Sequence, residues 1–192
     1  DPSKGIMSGL KSIADEYLLS IETLLEATEL IIHGTTVATN TLVERKGANV
    51  GLITTGGFRD LLEMREGLKE DRYNLHMNPV EPLVARHLRL EVQERIGSNG
   101  KILLPLDQES LDKALDIIEK EDVESLAVCF LFSFLNPEHE KHVLEKIITR
   151  FPNMHTSISH QIIPQIKEFD RLSTTTINSY VGPKFASYLT NL

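Results

Sequence analysis

A single cysteine, Cys129, means that the chain holds no internal disulfide, and its place in the apolar run 126–132 predicts a buried, reduced thiol of a cytoplasmic protein. No apolar run approaches the roughly 20 residues of a membrane-crossing helix, and no signal-peptide pattern is visible. Basic residues are also in deficit. With 20 Lys and Arg against 28 Asp and Glu, the formal charge of −8 argues against a general nucleic-acid surface or an anionic-membrane surface. There is no GxSxG elbow to expose a nucleophilic serine and no GxxxxGK[ST] loop to cradle nucleotide phosphates, so neither chemistry can be assigned by motif. Internal repeats and low-complexity tracts are lacking too.

What is present is a mixed α/β pattern. A chain of 192 residues with 41% hydrophobic content can bury a core of one domain or slightly more. It begins at Asp1 and ends at Leu192 inside a helical pattern, which predicts a segment of a longer protein. The most informative stretch is IIHGTTVATNTLVERKG at 31–47. Residues 30–32 read as a buried strand with His33 at its carboxyl end. Gly34 permits a turn or a close approach, and Thr35 or Thr36 caps a helix running to about Lys46, with Gly47 as its C-terminal cap and Arg45 and Lys46 favourable to the dipole. Such a junction is either an ordinary strand-to-helix connection or a site for a phosphate or carboxylate at a helix N-terminus.

Upstream, Ile6, Leu10, Ile13, Ala14 and Tyr17 form a helical stripe suited to packing on a sheet, and a second short helix spans 21–27. Residues 49–54 read as another buried strand, followed through TTGGF by a helix, and this repeated order implies a parallel sheet. Periodicity is lost over 67–82, a loop or arm. Alternation of Leu88, Leu90, Val92 and Ile96 with polar residues, then the turn 97–100 and the run 102–104, predicts an inserted hairpin. Asp107 caps a helix whose inward stripe is Leu111, Ala114, Leu115 and Ile118, leading to a strand at 125–132. Asn136, Pro137 and Glu138 start a helix that buries Val143, Leu144, Ile147 and Ile148, and a strand follows at 155–159. From about Lys167 the pattern is helical until Gly182 and Pro183, where a helix must end or kink.

Several constellations carry alternative readings. The cluster EHEKH at 138–142 has its two histidines three apart, the wrong spacing for a zinc-protease helix, so it reads as a solvated charged face and no metal site is assigned. His87, His155 and His160 have no partner visible in sequence. Arg65 and Arg72 flank the arm and suit either a bidentate clamp on a carboxylate or phosphate or surface ion pairs. The hydroxyl-rich segment Arg171-Leu172-Ser173-Thr174-Thr175-Thr176 suits a packing interface or a ligand equally, since Ser and Thr are costly within a helix.

Six blocks in order, HGTTVATNTLVERKG (33–47), ITTGGFRDLLEMRE (53–66), RYNL (72–75), EVQERI (91–96), LFSFLNPEHE (131–140) and FDRLSTTTINSYVGP (169–183), resemble the hydantoinase A/5-oxoprolinase family, including its N-methylhydantoinase A subunits, over nearly the whole chain. The resemblance implies a partial ribonuclease H-like domain of the actin and sugar-kinase ATPase superfamily: α/β, with a mainly parallel sheet, flanking helices and an inserted β-hairpin. It implies an amino-terminal α/β domain at 1–165 lacking its first strands and the family's Asp-x-Gly-Gly-Thr phosphate loop, then the start of the following domain at 166–192. For the full-length protein it implies ATP with Mg, a small cyclic amide or ketone as substrate, a hydantoinase B-type subunit or domain as partner, and ring opening of hydantoin, N-methylhydantoin or 5-oxoproline. No nucleic-acid or membrane partner is implied. A ketone carboxylase subunit and a non-catalytic binding or assembly subunit of the same fold are the alternatives. The segment itself is expected to be inactive and to hold no nucleotide tightly. On these residues His33, Gly34, Thr35, Thr36 and Asn40 are the candidates for facing substrate or phosphate, His33 being the best catalytic candidate because imidazole can donate, accept or shuttle a proton. Arg65, Arg72, Arg171, Ser173, Thr174 and Asn178 are secondary candidates.

Overall fold

Two runs without a polar break become the centre of a parallel sheet. In the computed structural model, which describes residues 2–67, 71, 73–78 and 80–191, they are β1 (Val50–Thr55) and β5 (Ser125–Cys129), buried at every position. Successive side chains of a strand point to opposite faces, so burial along the whole strand means that helices cover both faces. The remaining strands are β2 (Arg89–Val92), β3 (Arg95–Ile96), β4 (Ile102–Leu104) and β6 (His155–Ile158). The helices are α1 (Pro2–Glu16), α2 (Ile21–Glu26), α3 (Val37–Val43), α4 (Leu61–Met64), α5 (Gln108–Lys120), α6 (Glu138–Arg150), α7 (Ser159–Ile162) and α8 (Glu168–Asn191). The main sheet has the order β2-β1-β5-β6 with every pairing parallel, and β3 with β4 forms a separate antiparallel hairpin. This is the expected parallel α/β architecture with an inserted hairpin.

The predicted grammar holds at α5. Asp107 accepts the Ser110 N–H at 2.8 Å, and the inward stripe is Leu111, Ala114, Leu115 and Ile118, packed with Val143 and Ile147 of α6. Leu144 is half-buried, and Ile148 faces solvent. The expected long hairpin strand is instead split. At Gln93 the backbone leaves the sheet, its N–H bonding Ser110 Oγ and its carbonyl accepting the Asp107 N–H, so 89–92 joins the main sheet and only 95–96 pairs with β4.

Three expectations fail at the amino-terminal end. Leu30, Ile31 and Ile32 are exposed and form no strand, because among the described residues no neighbouring strand offers them a ladder. The helix after them stops at Val43 with Glu44 as its C-cap, and Gly47 serves packing rather than capping: a Cβ there would lie 2.3 Å from the Tyr180 ring. The stripe of α1 packs against α2 and α8 rather than on the sheet, and its buried apolar residue is Ala14.

Helix α8 lies against β5 and β6, placing Leu172 and Tyr180 in the core, and Ser179 Oγ donates to the Leu126 carbonyl at 2.8 Å. It does not end at Gly182 and Pro183. A proline removes the helical hydrogen bond to the carbonyl four residues earlier, here that of Ser179; the helix is also tied to the chain before β1, the Tyr180 carbonyl accepting the Ala48 N–H at 3.0 Å. Gly182 is required by close approach, since a Cβ would lie 2.2 Å from the His155 ring. Replacing Gly182 by Ala is therefore expected to destabilise the protein by about 1–3 kcal/mol. Gly5→Ala in α1, where a Cβ meets open space, is expected to be neutral or stabilising by up to about 1 kcal/mol. Urea unfolding of the two variants checks the contrast; equal midpoints would contradict this account of α8 docking.

Candidate functional site

The carboxyl edge of a parallel sheet is where strands release their chain into loops, and here that edge is built from buried polar side chains. Thr55 ends β1. Its Oγ1 accepts the Leu131 N–H at 3.0 Å and donates to Glu94 Oε1 in a short hydrogen bond. The other Glu94 oxygen meets His139 Nδ1 at 2.8 Å. Glu140, wholly buried in the first turn of α6, accepts from Phe130 N–H (2.9 Å), Ser159 Oγ (2.6 Å), His160 N–H (3.0 Å) and His160 Nδ1 (2.7 Å). One carboxylate thus holds together the chain leaving β5 and the chain leaving β6. Ser133 and Ser159 share a further hydrogen bond at 2.9 Å.

This overturns the reading of EHEKH as a solvated face. His139 and Glu140 are buried, because the first turn of α6 is inserted over the strand ends and a carboxylate there finds backbone donors to satisfy it. Glu94, Thr55 and Ser159 were likewise not singled out from sequence, and His160, which had no partner visible there, finds it in Glu140. The signal available in sequence was Pro137 followed by acids at a helix start, the same grammar that normally marks solvated first turns.

The chemistry of the edge is that of a frame. In a nucleophilic triad an imidazole stands between hydroxyl and carboxylate, whereas here Glu94 stands between Thr55 and His139, so the imidazole does not touch the hydroxyl and the order of a triad is absent. The Cys129 thiol is also unsuited to attack, since burial pushes it up to about 12, outweighing the opposing influence of Arg171. Among the described residues no group of three or more His, Cys, Asp or Glu is placed to hold a metal ion.

The sequence-predicted candidates fall into separate places. Arg171 joins the carboxyl edge: it is 1% exposed, its Nη2 donates to the Phe130 carbonyl, its guanidinium lies 5.2 Å from the Phe134 ring centroid, and its Nε and Nη1 have no partner among the described residues. Asn178 Nδ2 donates to Ser157 Oγ of β6 at 2.9 Å, and Thr174 is half-buried. Arg65 and Ser173 line one groove between α4 and α8. Arg72 lies outside the described residues.

His33 belongs to the far end of α8, where its Nε2 makes a short hydrogen bond with the Tyr188 hydroxyl. Tyr188 is buried, whereas His33 is exposed and borders a cavity of 460 Å³ together with Ile31, Leu10 and Asn191. Gly34 and Thr35 follow on the exposed turn, Thr35 Oγ1 accepting the Val37 N–H at 3.3 Å. Thr36 is the N-cap residue but makes no side-chain cap bond; its Oγ1 accepts from Asn40 Nδ2 at 3.3 Å. Tyr188 and Arg171 are 17 residues apart on α8, about 25 Å along the axis, so the HGTT turn and Arg171 are not brought together. A nucleotide needs converging amide donors and a cation around its phosphates. The HGTT turn does not meet that need: a Cβ at Gly34 would meet open space, and the Thr36 oxygen is already engaged.

Two outcomes follow from the buried edge. Glu140→Gln keeps the volume but substitutes an amide donor where an acceptor is needed, and is expected to cost about 3 kcal/mol, measured by urea unfolding; a change below 0.5 kcal/mol, the range of surface substitutions, would contradict the assignment. Cys129 should react with a thiol reagent such as Ellman's only as the protein unfolds, and prompt reaction in native buffer would show that the edge opens.

The model of the hydantoinase/oxoprolinase N-terminal region matches residues 1–151. The chain is 37% identical over 191 residues to the caprolactamase subunit alpha of Pseudomonas jessenii, covering 98% of this chain and 27% of that one. It is 33% identical over 194 residues to the acetophenone carboxylase gamma subunit of Aromatoleum aromaticum, covering 94% of this chain and 26% of that one. The crystal structure of the ATP-dependent caprolactamase from Pseudomonas jessenii superposes with a TM-score of 0.91 over 99% of this chain and 28% of that one. The chain therefore spans about a quarter of the length of these relatives. Six ordered sequence blocks, a parallel sheet of matching topology and a family match over most of its length place this chain in the hydantoinase/oxoprolinase family, whose N-terminal region it carries.

Proposed function

We propose that the full-length protein carrying this chain is an ATP-dependent enzyme that opens a cyclic amide such as a lactam, hydantoin or 5-oxoproline, and that it works with Mg and a hydantoinase B-type subunit or domain. The observation that carries this reading is the likeness to the ATP-dependent caprolactamase along nearly the whole chain, since caprolactam is itself a cyclic amide. ATP supplies the driving force for cleaving an otherwise stable amide. On this chain the HGTT turn is one wall of the active cleft. His33, held by the buried Tyr188 hydroxyl, moves or holds a proton at its imidazole, while Gly34, Thr35, Thr36 and Asn40 present donors toward substrate or phosphate. The segment 166–192 leads from this α/β unit toward the rest of the protein. The likeness to the acetophenone carboxylase gamma subunit favours a second reading, a ketone carboxylase.

The full-length protein with its partner is expected to release phosphate in step with consumption of one cyclic amide from a panel of these compounds. His33→Ala is expected to lower kcat/KM about a hundredfold with little change in Tm. Bicarbonate-dependent loss of a ketone would select the second reading, and no substrate-stimulated phosphate release with either class would overturn both. Residues 1–192 alone are expected to bind ATP weakly or not at all by calorimetry; tight binding would show that the nucleotide site is misplaced.

A further inference from the structure

Tyr188 lies near the end of α8, is 6% exposed, and its hydroxyl has one hydrogen-bond partner among the described residues, His33 Nε2. The two ring centroids are 5.9 Å apart with the planes tilted by 39°, and the Phe185 ring stands 6.4 Å from that of Tyr188. Which of the two groups gives the proton decides what His33 has to offer a ligand.

Only one direction leaves no polar hydrogen stranded. If Nε2–H donated to the phenol oxygen, the hydrogen of the phenol itself would need a second acceptor, and none is present among the described residues. A hydroxyl hydrogen held without an acceptor in a buried residue is costly. If the phenol donates, its hydrogen is satisfied and the Nε2 lone pair accepts it. Basicity points the same way. A neutral imidazole nitrogen takes up a proton at about pH 6.5, a phenol oxygen only in strong acid, so the nitrogen is the better acceptor of the two.

We propose that Tyr188 is a positioning residue that donates to His33 Nε2 and so fixes the neutral imidazole in the tautomer carrying its proton on Nδ1. Nδ1 makes no hydrogen bond among the described residues, and His33 is exposed. His33 therefore meets a ligand as an N–H donor and not as a base. The chemistry this fits is an oxygen acceptor: the carbonyl of an amide, on which negative charge builds as it is attacked, or a phosphoryl oxygen. An ammonium finds no acceptor there. The tautomer rests on the Tyr188 contact alone, whereas the donor role rests on the reading of the HGTT turn as a cleft wall and deepens it.

Nitrogen-15 NMR of the full-length protein labelled in its histidine rings tests the tautomer at about pH 8.5, where an ordinary imidazole is neutral, with His33 assigned by the signals lost in His33→Ala. A protonated Nδ1 and an unprotonated Nε2 are expected. In Tyr188→Phe, which removes only the hydroxyl, the proton is expected on Nε2 in a large share of the molecules. A proton on Nε2 in the parent, or the same tautomer with and without the Tyr188 hydroxyl, would overturn the proposal; the parent spectrum decides even if the phenylalanine variant does not fold. His33→Asn keeps an N–H donor at the place of Nδ1 and supplies no base, so it is expected to retain about tenfold more kcat/KM than His33→Ala. Equal loss in the two would overturn the donor role. The cyclic amide consumed in the phosphate-release assay, or a non-hydrolysable ATP analogue, is expected to shift the Nδ1 signal, and the one that does so identifies the oxygen; a shift with neither would also overturn the donor role. Were no cyclic amide consumed, the functional reading would fail in that assay while the tautomer would still be read from the spectrum, so the two failures are told apart.

Discussion

Glu140 is cut off from water in the first turn of α6, and all of its bonding goes to groups released by the two strands beneath it: the Phe130 amide after β5, and the Ser159 hydroxyl with the amide and imidazole of His160 after β6. A buried carboxylate survives only when its lone pairs are met, so this residue fixes the relative position of β5, β6 and α6 at once. Glu94 does the same for the edge between β1 and α6 through Thr55 and His139. Together they turn the carboxyl edge of the sheet into a fixed frame. Helix α8 packs across that frame and carries groups toward two places on the surface, the groove at its beginning and the His33 turn at its end.

The frame explains why the most suggestive cluster of chemistry is not where reaction is placed. Carboxylates, imidazoles and hydroxyls at a sheet's carboxyl edge are the ingredients of an active site, but each oxygen of Glu94 and Glu140 is committed to a protein donor. The HGTT turn is the reverse case. It is exposed and lightly bonded, and its imidazole is backed by a buried phenol, which is why the proposed function places the cleft wall there.

Most of the fold was legible wherever one face of one element decided the outcome. The stripe Leu111, Ala114, Leu115 and Ile118 with its Asp107 cap reads directly as a helix on a sheet, and the unbroken runs at 50–55 and 125–129 read as doubly covered strands. What sequence could not convey was which chain lies next to which. Leu30, Ile31 and Ile32 have the composition of a strand but no ladder partner among the described residues, and Gly182 looks like a stop until the His155 ring is seen packed against it. The site was legible in the same measure. Arg65 and Ser173 line one groove and Arg171 is buried at the edge, but Glu140 was hidden because a charged first turn is normally solvated and only the loops after β5 and β6 make it otherwise, and Glu94 because the break between β2 and β3 reads in sequence as one alternating strand. The ordered blocks, by contrast, conveyed the family, because they depend on residue order rather than on packing.

The central claim, that buried carboxylates hold the carboxyl edge as one rigid frame, is tested most directly by native-state hydrogen exchange at the amides that donate to Glu140. The amides of Phe130 and His160 should be protected to nearly the free energy of global unfolding, although neither lies within a strand. Exchange of these two amides as fast as that of the exposed residues 73–76 would contradict the account.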